Sequence, residues 1–240
     1  YSSLNGLACT IEESKHRPVI VSFNNHKISL PQWGIENADM IWECNMEGGM
    51  TRLLGVYSHI SKIDTAGSVR SARDYFLDIA EIYDAILVHA GGSPSFYNED
   101  YARDYDNICG INMPEIPDNI FWRDNNKRYE RGYEHSLQTN QKNLLSALDI
   151  LKYETEFSEQ IRIFNFNKSF TPLYSGKTAD VIKLSPSVTI DVRFTYDDGK
   201  YYKESYGKPH TEESTGNTLA FENVIVLYAK HKVVDSELRL

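Results

Sequence analysis

Arg70, Ser71 and Arg73 stand together in "SVRSARDYF", at the start of an amphipathic stretch. Gly67-Ser68 is a helix-start signal, so the sequence predicts a helix opening near Ser68 with both arginines on one face of its first turn. A cation there opposes the positive end of the helix dipole, at about 0.3–1 kcal/mol each. A bound anion reverses that penalty, because free N–H groups and guanidinium forks then converge on it. The competing reading is structural: Asp74 lies four residues after Arg70 and can pair with it. The anion reading fails if Arg70 and Arg73 are fully paired to acidic side chains with no cavity beside them.

Other residues could serve the same site. His89 closes the apolar run "AILVHA" and precedes Gly91 and Gly92. In α/β sheets ligands collect at the carboxyl ends of strands. Glycines there permit close backbone approach, and a histidine can donate a hydrogen bond or move a proton. The alternative is a core histidine bonded to a nearby carbonyl. Glu47 and Arg52 flank Gly48-Gly49. Arg123 and Asp124 follow Phe121-Trp122, with His135 twelve residues on. Ser71 is a possible nucleophile with no identifiable base. No G-x-S-x-G elbow, Walker loop, H-E-x-x-H or G-x-G-x-x-G is present. Cys9, Cys44 and Cys109 are odd in number and form no C-x-x-C pair, so free thiols are expected and neither a disulfide framework nor a metal site is. No cofactor is implied. Asp197-Asp198-Gly199 reads as a turn rather than a calcium loop.

The elements that must hold these residues follow from periodicity. "PVIVSFNN" is a first strand, and "SLPQWGIENA" has room for one or two helical turns. Met40, Trp42, Cys44 and Met46 alternate, and Arg52, Leu54 and Val56 return after the two glycines, which makes a hairpin. Phe76, Ile79, Ala80 and Tyr83 form a helical stripe, and "AILVHA" is a strand buried on both faces. Ser93-Pro94 opens a short helix, and Leu137, Leu144, Leu145, Leu148 and Leu151 mark another. Helical periodicity stops near 153–159. Val188 to Tyr196 alternates, turns at Asp198-Gly199 and resumes, and "ENVIVLYAKHKVVD" reads as a further strand. The expected fold class is α/β, with α+β the alternative. It comprises a mixed-sheet N-terminal domain with flanking helices over 1–154, then a smaller β-rich domain over 155–240 that reads as cut short.

With 240 residues, 41% apolar and 25% charged, the chain is an ordinary folded protein. A net charge of −9 argues against a general nucleic-acid binder while leaving room for a local basic pocket. No apolar run is long enough to span a membrane, and the chain opens at Tyr1, so any targeting segment lies upstream.

At "ADMIWECNMEGGMTRLLGVY", "GSVRSARDYFLDIAEIYDAILVHAGGSP", "FWRD" and the later "GKPHTEESTGNTLAFENVIVLY" the chain resembles the YerB-like lipoproteins of Gram-positive bacteria, a family of uncharacterised function. The resemblance spans nearly the whole chain. It implies an extracytoplasmic protein held to the membrane by an N-terminal lipid outside this sequence, and a second domain that continues past Leu240. The matching motif positions are Glu47, Gly48, Gly49, Thr51 and Arg52; Arg70, Ser71, Arg73, His89, Gly91 and Gly92; Arg123 and Asp124; Pro209 and His210. His135 stands where the family has a Pro-His after a basic stretch, here without the proline. Three functions stay open. The first is a binding protein for an anionic envelope ligand or lipid-linked precursor, held by Arg52, Arg70, Ser71, Arg73, His89, Gly91, Gly92, Arg123, Asp124 and His135. The second is an enzyme on a phosphorylated precursor, with His89 or Asp124 as acid/base. The third is a protein-interaction module.

Overall fold

The computed structural model describes residues 1–157, 164–167, 169, 176–187 and 189–233. Its strands are β1 (Val19–Asn24), β2 (Met40–Asn45), β3 (Thr51–Tyr57), β4 (Thr65–Gly67), β5 (Ile86–His89), β6 (Asn107–Cys109), β7 (Trp122–Arg123), β8 (Leu137–Asn140), β9 (Val181–Leu184), β10 (Val192–Asp197), β11 (Lys200–Ser205), β12 (Lys208–Pro209) and β13 (Ala220–Phe221). Its α-helices are α1 (Asp74–Ile82), α2 (Pro94–Arg103), α3 (Asn125–Arg131) and α4 (Gln141–Leu151). This mixture of helices with mixed and antiparallel sheets is the fold class the sequence predicts.

The main sheet runs in the order β2-β3-β1-β5-β6. β1 pairs antiparallel with β3 and parallel with β5. Period-two alternation sends Val19, Val21 and Phe23 of β1 to one core and Ile20 to the other. Leu53 and Tyr57 of β3 follow the first set, Leu54 and Val56 the second. Phe76, Leu77 and Ala80 of α1, Tyr83 just after it, and Phe96 of α2 cover one face. Leu144, Ala147 and Leu148 of α4 lie in the core of the other, with Leu137 and Phe121 from the β4-β8-β7 sheet region. Both faces are therefore dry, and the mainly apolar composition of β1 and β5 follows from that.

The second sheet, β12-β11-β10-β9 with β13 on β11, is antiparallel. It is fastened to the first. Lys203 is buried and pairs with Glu43 at 2.6 Å. Buried His210 accepts from Ser205 and donates to Gln32. Glu212 accepts from the Gly34 N–H at 2.8 Å. Leu219 enters the first core.

Three expectations are corrected. α1 begins at Asp74, with Arg73 as its N-cap residue; residues 68–72 are extended because their backbone groups pair with neighbouring chain segments. Leu137 lies in β8, paired with β4 and β7, and α4 starts only after Asn140, whose side chain caps it. Residues 222–233 form no strand; after β13 the chain leaves the sheet, and Ile225, Leu227 and Tyr228 are exposed. Val188, expected in a strand, lies outside the described residues.

Candidate functional site

The arginines gather where β1 ends. β1 and β5 are parallel, and past their carboxyl ends the segment 68–72 is threaded between them. Asn24 N–H donates to Ser68 O at 2.8 Å, Arg70 N–H to Ser22 O at 2.9 Å, Ala90 N–H to Arg70 O at 2.9 Å and Ala72 N–H to Gly91 O at 2.8 Å. Arg52, the second residue of β3, lies directly opposite Asn24. Strand register and these bonds thus bring Arg52, Arg70, Ser71 and Arg73 to the carboxyl end of a sheet, where ligands collect in α/β proteins.

Their surroundings differ. Arg73 is buried and taken up by the molecule itself: its Nε and Nη2 form a bidentate pair with Glu47, and Nη1 donates to Ser71 Oγ and Ala72 O. The helix-face argument fails for Arg70, which precedes α1, and Arg73 has a structural partner. Arg52 is 5% exposed, donates through Nη1 to Ser71 O and Oγ, and enters no ion pair among the described residues. Its Nε is buried without an acceptor. Burial, then the fields of Arg73 and Arg70, push its pKa down to about 9, only partly offset by Glu47. Arginine stays protonated at neutral pH, so this shift marks an incompletely compensated charge. Arg70 has a buried Nε without an acceptor as well, and its Nη2 meets Glu134 at 3.1 Å, a carboxylate whose side chain is 67% exposed.

Burial works to raise the Glu47 carboxyl; hydrogen bonding and charge from Arg73, with Arg52 beyond, outweigh it and leave it below its ordinary range. The Glu47–Gly49 turn is not a free tip, since Ser187 and Thr189 of the second domain donate to Gly49 O.

His135 stands beside Arg70. Its Nδ1 meets the Asn24 amide nitrogen at 2.7 Å, while Asn24 Oδ1 accepts the His26 N–H. Nδ1 is therefore the acceptor and Nε2 carries the proton. Burial, then Arg70 and His26, lower its pKa, and His26 stacks on it at 5.3 Å.

His89 matches the structural reading. It is fully buried, with Nδ1 at 2.8 Å from Gly91 O and Nε2 at 2.9 Å from Asn107 Oδ1. Burial would lower its pKa, but Cys109, Asn107 and Gly91 O raise it on balance. Gly91 is needed for its φ of +78°, and a Cβ on Gly92 would lie 2.4 Å from the Phe96 ring. Asp124 caps α3 by accepting the Lys127 N–H at 2.8 Å. Arg123 lies 3.6 Å over the Tyr133 ring. The structure thus joins Arg52, Ser71 and Arg73 directly, sets Arg70 and His135 beside them, and holds His89 and Asp124 in packing roles.

Asn24, Asn25, His26 and Glu134 belong to this region and were not singled out from sequence. The signal was the polar "NNH" directly after an apolar strand. Two surface cavities, of about 310 Å³ beside Asp74 and Arg103 and 250 Å³ beside His16 and His59, are not lined by Arg52, Arg70 or Arg73. Among the described residues no group of three or more His, Cys, Asp or Glu could hold a metal ion, and no helix is long and apolar enough to cross a membrane. Cys9, Cys44 and Cys109 are free thiols.

A mixed α/β core joined to an antiparallel sheet, with buried arginines at the strand ends, is a two-part build that family models resolve. The N-terminal domain of "Protein of unknown function (DUF3048)" matches residues 4–154 and its C-terminal domain matches 182–240. The chain belongs to this family. It is 29% identical over 238 residues to the Bacillus subtilis (strain 168) protein named "Putative lipoprotein YerB", covering 98% of this chain and 69% of that one. The crystal structure of the YerB protein from Bacillus subtilis superposes with a TM-score of 0.81 at 27% identity, covering 99% of this chain and 78% of that chain.

Proposed function

We propose that this protein is an extracytoplasmic, membrane-anchored lipoprotein that binds an anionic group of a cell-envelope ligand at the carboxyl end of β1. The anchor is carried over from the name of the Bacillus relative. The observation that carries the binding is that Arg52 and Arg70 each keep a buried Nε–H without an acceptor. A buried unsatisfied donor is costly, on the order of 1–3 kcal/mol and more when charged. A phosphate or carboxylate oxygen removes that cost. Among the described residues the only carboxylate on Arg70 is the exposed Glu134, and an exposed pair of this kind is worth about 0.2–1 kcal/mol, so an incoming anion displaces it readily. Arg73 and Glu47 hold Ser71 and the turn in place. An acid/base enzyme is disfavoured by the hydrogen bonds that already engage His89 and Asp124.

Calorimetric titration with orthophosphate and with citrate, against chloride as control, tests the binding. The Arg70→Ala variant is expected to bind about 10- to 150-fold more weakly, the equivalent of one charge-assisted hydrogen bond at roughly 1.5–3 kcal/mol. Absence of heat at millimolar anion, or equal binding by the variant, overturns the reading. Fractionation of cells expressing the natural full-length gene tests the anchor: recovery with membranes supports it and release with the soluble cytoplasm contradicts it.

A further inference from the structure

The turn Tyr133–His135 has a second bank of cations on its other side. Arg123 donates to Tyr133 O and its guanidinium covers the Tyr133 ring at 3.6 Å; Arg128 approaches the same ring at 5.2 Å. Neither arginine enters an ion pair among the described residues. Their helix neighbours do: Lys127 pairs with Glu130 and Glu213, and Arg131 with Glu213. The next residue, Glu134, receives Arg70, and the one after it receives Asn24. Arg123 Nη1 lies 2.5 Å from Tyr133 O and Arg70 Nη1 3.5 Å from Glu134 O, the next carbonyl, so the two guanidinium groups come within roughly 10 Å of each other along one exposed turn. The charged side chains around it are Arg52, Arg70, Arg73, Arg123 and Arg128 against Glu47, Asp124 and Glu134. This positive track sits on a chain of net charge −9.

Charge separates phosphate from carboxylate. Once Glu134 moves aside, Arg52 Nε, Arg70 Nε and Arg70 Nη2 are N–H donors without acceptors among the described residues. A carboxylate brings one negative charge and a phosphate up to two, so guanidinium groups that repel one another favour the phosphate. Resting on the anion reading above, we propose that the ligand is a chain of linked phosphate groups, one seated at Arg52 and Arg70 and its neighbours carried across Arg123 and Arg128. Tyr133 holds the second bank in place by lying beneath both guanidinium groups, and Glu134 occupies the first seat until the chain displaces it.

The test compares orthophosphate, tripolyphosphate and soluble polyphosphate of several tens of units by calorimetry at low salt. The proteins are the parent, Arg70→Ala and the double variant Arg123→Ala/Arg128→Ala, each first checked for an unchanged melting midpoint. The parent is expected to gain at least tenfold per site from orthophosphate to polyphosphate. The double variant is expected to keep its orthophosphate affinity and lose that gain; Arg123→Lys/Arg128→Lys, which keeps the charge, should recover part of it. Orthophosphate binding with no gain on lengthening, or a gain that survives in the double variant, overturns the chain proposal and leaves the simple anion site standing. Binding of neither phosphate form removes both readings. Co-sedimentation with phosphatidylglycerol vesicles without polyphosphate binding overturns the proposal in favour of a lipid surface.

Discussion

Glu47→Gln tests how the arginine cluster is held. Glu47, from the turn between β2 and β3, pairs with Arg73 at both oxygens, and its field reaches Arg52. The Arg73 side chain is 7% exposed and that of Glu47 22%. Removing one partner of a buried pair typically costs about 3–5 kcal/mol, because the other charge is left in a poor solvent. The partial exposure of Glu47 places this case near 3 kcal/mol. In a chain of this size each kcal/mol moves the melting midpoint by roughly 2–4 °C, so a fall of about 6–12 °C is expected. Urea denaturation and calorimetry read both numbers. The Arg73→Met variant is expected to lose less, since it removes a charge from a cluster that already crowds Arg52. A Glu47→Gln loss below about 1 kcal/mol, or an Arg73→Met loss that exceeds it, refutes the reasoning that unbalanced positive charge governs this region.

Glu134→Gln should raise orthophosphate affinity by about 1.5- to 5-fold, the range for removing an exposed competing ion pair; unchanged or weaker binding in a titration contradicts the displacement. Glu47, Asp39 and Glu213 all have folded-state pKa values held below their ordinary ones, against the upward pull of burial, by Arg73, Lys62 and Lys127 respectively. Their contribution to stability is therefore complete above about pH 4.5 and lost as pH falls through the folded values. The urea midpoint should drop between pH 5 and 3, and drop less in Glu47→Gln. Gly92→Ala forces Phe96 aside and should cost about 1–3 kcal/mol as overpacking; orthophosphate affinity at a temperature where the variant is folded should not change.

Where structure is set by local periodicity, the sequence was readable. The alternation of β2 and β3 around Gly48-Gly49, the apolar β5, the Ser93-Pro94 start of α2 and the Asp198-Gly199 hairpin all depend on residues that are neighbours in the chain. The beginning of α1 was not readable, because residues 68–72 are held extended by Ser22, Leu137 and Gly91, which are tens of residues away. Leu137 fitted a helical stripe, yet its pairing with β7 decides its state. Residues 222–233 carry a strand composition and pair with no strand among the described residues. In the site, arginine spacing drew attention to Arg70 and Arg73, but sequence could not show that Glu47 reaches Arg73 while Arg52 has no paired carboxylate among the described residues. Ion pairing is decided by strand register, and Asn24 opposite Arg52 is a fact of that register.

The most direct measurement follows the arginine Nε–H resonances by NMR while orthophosphate is added. Arg52 and Arg70 Nε–H signals are expected to shift together and saturate at one affinity, with Arg73, already bonded to Glu47, unmoved. Signals of Arg52 and Arg70 that stay fixed throughout the titration, or a shift that appears only at Arg73, would contradict an anion site at the end of β1.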